Sequence, residues 1–460
     1  MAVSVNTTFL SELMGSIAER GRSLLDGVIG EQPGAEGLPG TIELCQRLLS
    51  GRGEASGTAL GREVLDRYAA LDETERQKFF ETLAHDFGPD RARMTSAIKR
   101  LSETNSDTAA SDLHYASEPR RQELLRRLNR APGGTAALVE MRADLLPIIE
   151  KNPALKILDI DFSHLLSSWF NRGFLVLRRI DWASPAIVLE KIIKYEAVHA
   201  IKDWDDLRRR IDPPDRRCYA FFHPALVDEP LIFVEVALSA QIPGAIQPLL
   251  SEDRNVTPLK DARVAVFYSI SNCQHGLAGI SFGNFLIKQV VEELRRELPR
   301  LSTFVTLSPV PGFMRWLKKE KLALASGPGQ AKLIEKLDTP DWVTEPTIVG
   351  DMKAFLEPLA AQYFLETRDS KGRVVDPVAR FHLGNGARLE RINWLGDLSP
   401  KGLRESAGIM VNYLYDLDKI EANHEAFANV GDVVAASSVR KMLKTQKPRP
   451  VNSPAVPANN

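Results

Sequence analysis

Residues 263–313 read RVAVFYSISNCQHGLAGISFGNFLIKQVVEELRRELPRLSTFVTLSPVPGF. The pattern is that of an apolar strand, a glycine-rich turn, an amphipathic helix and a second apolar strand. Apolar residues recur at helical spacing from Leu286 to Leu298, and Pro299 ends the helix. A strand followed by a glycine loop and a helix N-terminus gathers unpaired backbone N–H groups and the positive end of the helix dipole. The stretch therefore predicts a loop that binds anions, phosphates above all.

Three glycines, Gly276, Gly279 and Gly283, mark places in this loop where the backbone approaches another group closely or takes a positive φ. Their spacing differs from the dinucleotide-binding GxGxxG, and the loop lacks the GK[ST] of a P-loop. It is closer to the loop by which GNAT acyltransferases hold the pyrophosphate of coenzyme A. The alternative is that these glycines serve packing alone, and the local pattern leaves both interpretations open.

The composition is that of an ordinary soluble globular protein, with 44% hydrophobic and 26% charged residues among 460. This length predicts two or three domains. A formal net charge of −1 gives no electrostatic support for binding nucleic acid or an anionic membrane. We find no pattern of a secretory signal and no run of about 18 apolar residues. The expectation is a protein without nucleic-acid or membrane partners.

Cysteine usage points to a reducing compartment. Cys45, Cys218 and Cys273 are too few and too scattered for a metal cluster or a disulfide framework. The chain ends in PANN, so a C-terminal Ser-Lys-Leu peroxisomal signal is absent. We therefore expect a cytoplasmic protein without a metal site.

Residues 7–150 carry a helical pattern throughout. A first helix runs over Leu10, Met14, Ile17, Leu24 and Leu25, and Asp72 with Glu75 forms a candidate capping box for a helix that carries Phe79, Phe80 and Leu83. Residues 102–111, SETNSDTAAS, read as a polar loop. Because no acid, histidine or cysteine pair here has catalytic spacing, we interpret the region as a helical bundle for docking or oligomer contact.

Strands begin after residue 170 and alternate with helices. We predict helices near 185–193 and 204–210, a helix capped by Ser399 with Pro400 at its first position, and a final strand in GIMVNYLYDL, residues 408–417. This alternation is typical of an α+β or mixed α/β layer fold. Beyond residue 443 the tail TQKPRPVNSPAVPANN is proline-rich and is expected to be disordered.

Several segments together resemble the malonyl-CoA decarboxylase family. They are RRCYAFFHP (216–224), VFYSISNCQHGLAGISFGNFLIK (266–288), TLSPVPGF (306–313), FHLGNGARLERINW (381–394) and GIMVNYLYDL (408–417). The resemblance implies an α+β chain with an N-terminal all-helical bundle domain and a C-terminal GNAT-like mixed α/β catalytic domain. With the pattern above, it gives a helical domain over 1–165, a CoA-binding catalytic domain over 166–443 and a tail over 444–460.

The reaction implied by this resemblance converts malonyl-CoA to acetyl-CoA and CO2 without metal or organic cofactor, coenzyme A being part of the substrate. Loss of CO2 leaves an electron pair on the carbon beside the thioester carbonyl. Catalysis then needs hydrogen-bond donors at the thioester oxygen and a general acid for the carbon. Fatty acid or malonate metabolism is the implied setting, and a homo-oligomer, up to a tetramer through the helical domain, is the implied assembly.

The family's catalytic serine and histidine match Ser308 in LSPVPGF and His382 in FHLGNGA. We assign His382, expected at a strand edge before a Gly-Asn-Gly turn, as the proton donor, since an imidazole can titrate near neutrality. Ser308 is expected to orient the substrate carboxylate or the thioester. By themselves a serine before proline is usually a turn residue and a lone histidine is usually structural. His223 and His275 are competing histidines of lower rank.

The resemblance also assigns the central loop to coenzyme A. The residues expected to contact substrate or coenzyme A are Gln274, Gly276, Gly279, Ser281, Gly283 and Asn284. Lys288 and Arg315 are candidates for the 3′-phosphate. Ser281 stands where animal members of the family have a glutamate linked to the catalytic pair, so another group must orient that pair here, with Asn393 and Asp397 as candidates.

Two other functions remain compatible with the sequence. One is a GNAT-type acyltransferase that moves an acyl group from coenzyme A to an amine. The other is a non-catalytic protein that binds acyl-CoA and recruits partners through its helical domain. A binding protein would not need both Ser308 and His382, so this pair favours an enzyme, a carboxy-lyase.

Overall fold

The computed structural model describes residues 37–50, 54–280, 286–324 and 328–444. Contacts divide the chain into one unit of residues 1–178, 221–232 and 272–283, and a second of residues 179–220, 233–271 and 284–460. The predicted first helix and the C-terminal tail lie outside the described residues. The predicted domain limits at 165 and 443 stay predictions. Within the described ranges, no helix is long and apolar enough to cross a membrane.

Helices build the first unit, and this confirms the all-helical N-terminal region over the part described. They are α1 Gly37–Leu49, α2 Glu54–Ala70, α3 Glu73–Asp86, α4 Arg91–Thr104, α5 Asp107–Ser117, α6 Arg120–Asn129, α7 Gly134–Lys151 and α8 Lys156–Trp169. Short 3-10 turns lie at Pro153–Leu155, Arg172–Phe174 and His275–Leu277. The core of the bundle contains fully buried side chains from several of these helices, Phe79, Phe80, Leu124, Leu138 and Leu166.

Local capping chemistry sets two of the helix ends. The predicted capping box is confirmed at α3, where Asp72 Oδ1 accepts from the Glu75 amide at 2.8 Å. The predicted loop over residues 102–111 is wrong, because α4 continues to Thr104 and α5 begins at Asp107. The Ser106 side chain accepts from the Ala109 amide and so begins a helix where its polar composition indicated a loop.

The strands form one sheet. In the sequence, the helices of the second unit lie between and after these strands. The strands are β1 Val176–Ile180, β2 Arg216–Phe222, β3 Pro230–Ser239, β4 Val264–Asn272, β5 Thr303–Thr306, β6 Ser308–Pro309, β7 Arg388–Asn393 and β8 Met410–Leu414. Their order is β1-β2-β3-β4-β5-β8-β6, and β7 also pairs with β8. The predicted α+β class, with a helical region before a mixed-sheet domain, is confirmed.

The remaining helices include those predicted from the central stretch and its neighbours. They are α9 Ala186–Tyr195, α10 Trp204–Ile211, α11 Gln247–Leu250, α12 Leu286–Glu297, α13 Phe313–Leu324, α14 Pro328–Lys336, α15 Pro346–Leu365, α16 Pro377–Gly384, α17 Pro400–Ser406, α18 Ile420–Val430 and α19 Ser437–Lys444, with a 3-10 turn at Pro340–Thr344. Ser399 caps α17 as predicted, accepting from the Gly402 amide at 3.0 Å.

Strand pairing around β5 places the residues that follow it. β4 and β5 run parallel, with Val264 opposite Thr303 and Phe267 opposite Thr306, as expected for a strand-helix-strand unit. β8, the predicted final strand, runs antiparallel to β5, β6 and β7, and Ser308 stands opposite Val411. Alternate residues of β5, β6 and β8, although distant in sequence, therefore share one face of the sheet.

A buried ionic cluster lies beside β3 in the second unit. Glu235 has no exposed surface, and its Oε2 lies 3.4 Å from Nη1 of Arg210. Arg210 also pairs with Asp206 at 3.1 Å. Burial, together with the nearby Glu196 carboxylate, raises the pKa of Glu235 to about 8 against the opposing effect of Arg210. The free-energy cost of burying the ionised carboxylate is therefore larger than the stabilisation that Arg210 provides.

Candidate functional site

Ser308 and His382 lie side by side although 74 positions separate them in sequence. Ser308 Oγ is 3.1 Å from His382 Nε2, within hydrogen-bond distance. Both residues are buried, with 5% and 3% of their surfaces exposed. The structure thus brings together the two residues that the resemblance assigned to catalysis.

The helix α16 carries His382, and this differs from the expected strand edge. Asp376 caps α16 by accepting from the Ala379 amide at 2.9 Å, and Pro377 occupies the first turn. His382 falls in the last turn, two residues before the helix ends at Gly384. The Gly-Asn-Gly sequence therefore ends a helix, and a helix position fixes the direction of the imidazole more firmly than a loop would.

Thr306 holds the Ser308 hydroxyl. As residues i and i+2 of extended chain, the two side chains point to the same face of the sheet. Ser308 Oγ donates to Thr306 Oγ1 at 2.9 Å, and Thr306 Oγ1 also accepts from the Tyr413 amide at 3.1 Å. Asn412 Nδ2 donates to the Thr306 carbonyl at 2.8 Å. The serine is therefore anchored through a threonine that is itself fixed to β8.

Tyr415 lies at the other side of the imidazole. Its hydroxyl is 2.8 Å from His382 Nδ1. Because Ser308 donates to Thr306, its oxygen is left to accept from His382, which places the imidazole proton on Nε2. Nδ1 then accepts from Tyr415. A directed chain results, from Tyr415 through His382 and Ser308 to Thr306.

The protonation states of these hydrogen-bonded side chains follow from their burial. Desolvation lowers the pKa of His382 to about 3, far below the neutral range expected from sequence. Burial likewise raises the pKa of Tyr415 well above its usual value, so its hydroxyl keeps its proton. The ring of His382 stacks on Tyr413 with centroids 4.7 Å apart. In this structure His382 is a neutral hydrogen-bond donor.

The two residues that the sequence suggested for orienting the catalytic pair, Asn393 and Asp397, form hydrogen bonds with other groups. Asn393 Nδ2 donates to Asn412 Oδ1 at 2.9 Å, and Asp397 Oδ1 accepts from Gln247 and from the Ser399 amide. Tyr415 and Thr306 are the groups that bond His382 and Ser308. Sequence reasoning missed both, although Tyr413 and Tyr415 alternate in the predicted final strand and Thr306 stands two positions before Ser308.

The glycine loop belongs to the first unit, and the structure describes it as far as Ile280. Gln274 Nε2 donates to the Pro230 carbonyl at 3.1 Å. A Cβ on Gly276 would lie 1.8 Å from the Val139 carbonyl oxygen, and Gly279 has a φ of +76°. The predicted close approach and positive φ are therefore confirmed at these two glycines. Ser281, Gly283 and Asn284 lie outside the described residues, and the assignment of the loop to coenzyme A stays a prediction.

The other sequence candidates divide between structural roles and open predictions. His223 accepts at Nδ1 from the Ala225 amide and lies 3.1 Å from the Trp169 carbonyl at Nε2, which is the bonding of a turn residue. His275 is exposed in the 3-10 turn. Lys288 lies 3.6 Å from Glu421, and Arg315 is exposed. The proposed contacts of Lys288 and Arg315 with a 3′-phosphate stay predictions.

Comparison with known proteins identifies the family. A family model described as "Malonyl-CoA decarboxylase C-terminal domain" matches residues 173–452, and one described as "Malonyl-CoA decarboxylase N-terminal domain" matches residues 87–170. The chain belongs to the malonyl-CoA decarboxylase family. Ser308, His382 and Tyr415 all fall within the segment that matches the C-terminal model of the family.

Relatives of this family cover most of the chain. The mitochondrial malonyl-CoA decarboxylase of Anser anser anser is 35% identical over 401 residues, which cover 80% of this chain and 79% of the relative. A crystal structure of malonyl-CoA decarboxylase from Rhodopseudomonas palustris is 58% identical, with a TM-score of 0.86, and the match covers 88% of this chain and all (100%) of that one. The corresponding structure from Agrobacterium vitis is 54% identical, with a TM-score of 0.84, covering 88% and 99%.

Membership of the malonyl-CoA decarboxylase family gives the chain of hydrogen bonds a chemical interpretation. The site combines a neutral imidazole, a serine hydroxyl and a tyrosine hydroxyl in a region from which water is largely excluded. Such a site can donate hydrogen bonds and protons to an anion that forms inside it, and low polarity strengthens each of these interactions.

Proposed function

We propose that this chain decarboxylates malonyl-CoA, giving acetyl-CoA and CO2, with Ser308 and His382 at the reacting centre. The observation that supports the proposal is the buried sequence of hydrogen bonds from Tyr415 to His382 and Ser308 within the segment that matches the C-terminal domain of the family. A buried imidazole with both nitrogens engaged suits proton delivery to a carbanion better than attack on a carbonyl group.

Bond cleavage comes first. The bond between the carboxylate and C2 of the malonyl group breaks, CO2 leaves, and the electron pair forms the thioester enolate. Rotation about the Cβ–Oγ bond of Ser308 lets its hydroxyl donate to the thioester oxygen in place of Thr306. A donor placed where negative charge develops lowers the barrier more in a buried site than in water.

Protonation of the enolate carbon completes the reaction. His382 gives its Nε2 proton to the carbon, and Tyr415 returns a proton to the imidazole at Nδ1. A neutral imidazole is acidic enough, because the carbon of a thioester enolate is a much stronger base than the imidazole anion. Water then supplies a proton at Nε2 and the Nδ1 proton returns to Tyr415, so the imidazole and the tyrosine recover their starting states. In sum, malonyl-CoA and water give acetyl-CoA, CO2 and hydroxide.

The reaction as proposed uses no metal and no organic cofactor, because the thioester of coenzyme A itself accepts the electron pair. We assign the nucleotide end of coenzyme A to the glycine loop, with Gln274, Gly276, Gly279, Ser281, Gly283 and Asn284 as its contacts. The positive φ of Gly279 supports this assignment, since such a turn is typical of anion-binding loops.

The cellular setting is also part of the proposal. We infer a cytoplasmic homo-oligomer, assembled through its helical domain up to a tetramer, that serves fatty acid or malonate metabolism. The absence of a strong net charge at −1 agrees with small-molecule chemistry without nucleic-acid or membrane partners. Size measurement in solution, with the helical domain alone and the full chain, tests the assembly.

Release of labelled CO2 from carboxyl-labelled malonyl-CoA tests the function. Wild type is compared with Ser308→Ala and His382→Ala, and with His85→Ala as a control, since the His85 side chain is 90% exposed. General acid catalysis contributes about 10²–10⁴-fold, so His382→Ala should lose about that much of kcat. A wild-type chain that releases no CO2, or that transfers acyl groups only when an amine is added, contradicts the proposal.

A further inference from the structure

Arg142, on helix α7 of the first unit, donates hydrogen bonds to the glycine loop. The arginine is 3% exposed, and its Nη1 lies 2.6 Å from the Gly276 carbonyl oxygen and 2.9 Å from that of Ala278. Both carbonyl groups belong to the loop proposed to hold coenzyme A. The helical region, which sequence analysis interpreted as a surface for docking or assembly, therefore supplies the cation behind this loop.

The guanidinium is fixed from its other sides. Nε donates to Asp159 Oδ1 at 2.8 Å and Nη2 donates to Ser163 Oγ at 3.1 Å, both on helix α8. A planar guanidinium held at three of its nitrogens has little freedom to turn. Because Asp159 also balances its charge, Arg142 acts here mainly through the direction of its hydrogen bonds.

The loop is also packed directly on α7. A side chain larger than hydrogen at Gly276 would meet the Val139 carbonyl at 1.8 Å. Val139 and Arg142 are three positions apart and so lie on the same side of the helix. The contact of Gly276 with Val139 sets how near the loop comes to the helix. The hydrogen bonds from Arg142 set the direction of the loop's carbonyl groups.

Fixing a carbonyl also fixes the amide that follows it. In a trans peptide the C=O of one residue and the N–H of the next point in opposite directions. With the Ala278 carbonyl turned toward Arg142, the Gly279 N–H points to the opposite side, and the φ of +76° at Gly279 turns the chain there. Backbone N–H groups in such a turn are a common site for phosphate oxygens.

We propose that Arg142 is a positioning residue for substrate binding: it orients the loop so that the Gly279 N–H faces the diphosphate of coenzyme A. This inference rests on the proposed function, which assigns the loop to coenzyme A. It predicts that the loss of Arg142 weakens binding of the diphosphate and leaves the chemistry at Ser308 and His382 intact.

Arg142→Met is the informative variant, and Arg121→Met is its matched control. Arg121 is 4% exposed in the same unit and pairs with the buried Asp161, but it lies on α6 away from the loop. Both changes remove a buried guanidinium and leave an aspartate without its arginine, although Asp161 keeps the hydrogen bond that Gln122 Nε2 donates at 2.7 Å. A purely structural effect should therefore be alike in the two variants.

The experiment compares steady-state CO2 release from malonyl-CoA and from malonyl-pantetheine, which lacks the diphosphate. Arg142→Met should raise KM for malonyl-CoA about 10- to 100-fold with kcat nearly unchanged, and should leave kcat/KM for malonyl-pantetheine as it was. Arg121→Met should change neither. If Arg142→Met does not fold, Arg142→Lys, which keeps a donor with less control of direction, should show a smaller rise in KM.

Three results overturn the inference: equal losses on both substrates, a loss in kcat with KM unchanged, or the same loss in both arginine variants. Calorimetric binding of coenzyme A to wild type and Arg142→Met separates this inference from the proposed function. A wild type that releases no CO2 but binds coenzyme A at least tenfold tighter than Arg142→Met sinks the decarboxylase proposal and supports the role of Arg142.

Discussion

The hydroxyl of Tyr415, one residue beyond β8, lies 2.8 Å from Nδ1 of His382, on the side of the imidazole opposite Ser308. The histidine thus has a hydrogen-bond partner at each nitrogen. Together with the hydrogen bond that Ser308 donates to Thr306, this relationship defines which nitrogen carries the proton, and the proposed chemistry depends on it.

Removal of the Tyr415 hydroxyl should slow the reaction without weakening substrate binding. Tyr415→Phe leaves Nδ1 buried without a donor, which costs about 1–3 kcal/mol and corresponds to a fall in kcat of about 10- to 100-fold. Steady-state kinetics measure the effect. Tyr219→Phe is the matched control, because that buried hydroxyl contacts Glu297 at 3.4 Å instead. An unchanged kcat in Tyr415→Phe would exclude the proposed return of the proton.

Thr306 should support catalysis through the hydrogen bond that its hydroxyl oxygen accepts, and not through the shape of its side chain. Thr306→Val has nearly the same volume but cannot accept from Ser308, so the serine proton turns to His382 Nε2 and displaces the proton that the reaction needs. We expect kcat to fall about tenfold or more, in line with loss of a buried hydrogen bond. Thr306→Ser keeps the acceptor and should stay near wild type. Equal activity of the valine and serine variants contradicts this role.

The packing of the glycine loop predicts a loss of stability at Gly276. In Gly276→Ala the new methyl group collides with backbone at Val139, so the loop must shift, at a cost of about 1–3 kcal/mol. Gly350→Ala is the control, since its Cβ meets nothing within 4 Å and it lies inside helix α15. Alanine there should stabilise by about 0.5–1 kcal/mol. The urea concentration at the unfolding midpoint should fall in Gly276→Ala and rise in Gly350→Ala. A shift in the same direction in both variants would contradict this prediction.

The buried Glu235 should make stability fall as pH rises. Its folded pKa of about 8 lies above the ordinary value of 4.5, so the folded state binds more protons between these pH values and loses stability through that window. Glu235→Gln cannot ionise and should lessen this decline, unfolding at higher denaturant concentration than wild type at pH 8.5. Identical pH dependence of the two proteins between pH 5 and pH 8.5 would show that Glu235 stays ionised.

Local sequence predicted the helices and the central strand-loop-helix-strand unit because periodicity and capping act over a few residues. It misplaces His382, since the Gly-Asn-Gly turn by itself predicts the end of a strand. The deciding signal lay earlier, in Asp376 and Pro377, which begin a helix that carries His382 in its last turn. An N-cap residue followed by proline at the first helical position predicts a helix. This signal is stronger than the glycine turn, because such a turn can follow either a helix or a strand.

The site could be predicted only in part. Ser308 and His382 followed from a family resemblance, whereas Tyr415 and Thr306 depend on strand register. Val305 stands opposite Leu414, and this pairing puts neighbouring Thr306 and Tyr413 on one face. No local pattern fixes the register between strands about a hundred residues apart. Burial, which makes the imidazole neutral, is likewise a property of the folded chain.

The most direct measurement is the protonation state of His382, by nitrogen NMR of protein with 15N-labelled histidine. The His382 signals are assigned by their loss in His382→Gln. Because burial lowers the pKa of His382 to about 3, we predict a neutral ring with its proton on Nε2 from pH 8 down to pH 5. A titration to the imidazolium with a midpoint near the ordinary value of 6.5, or a proton on Nδ1 throughout, would contradict the proposed mechanism.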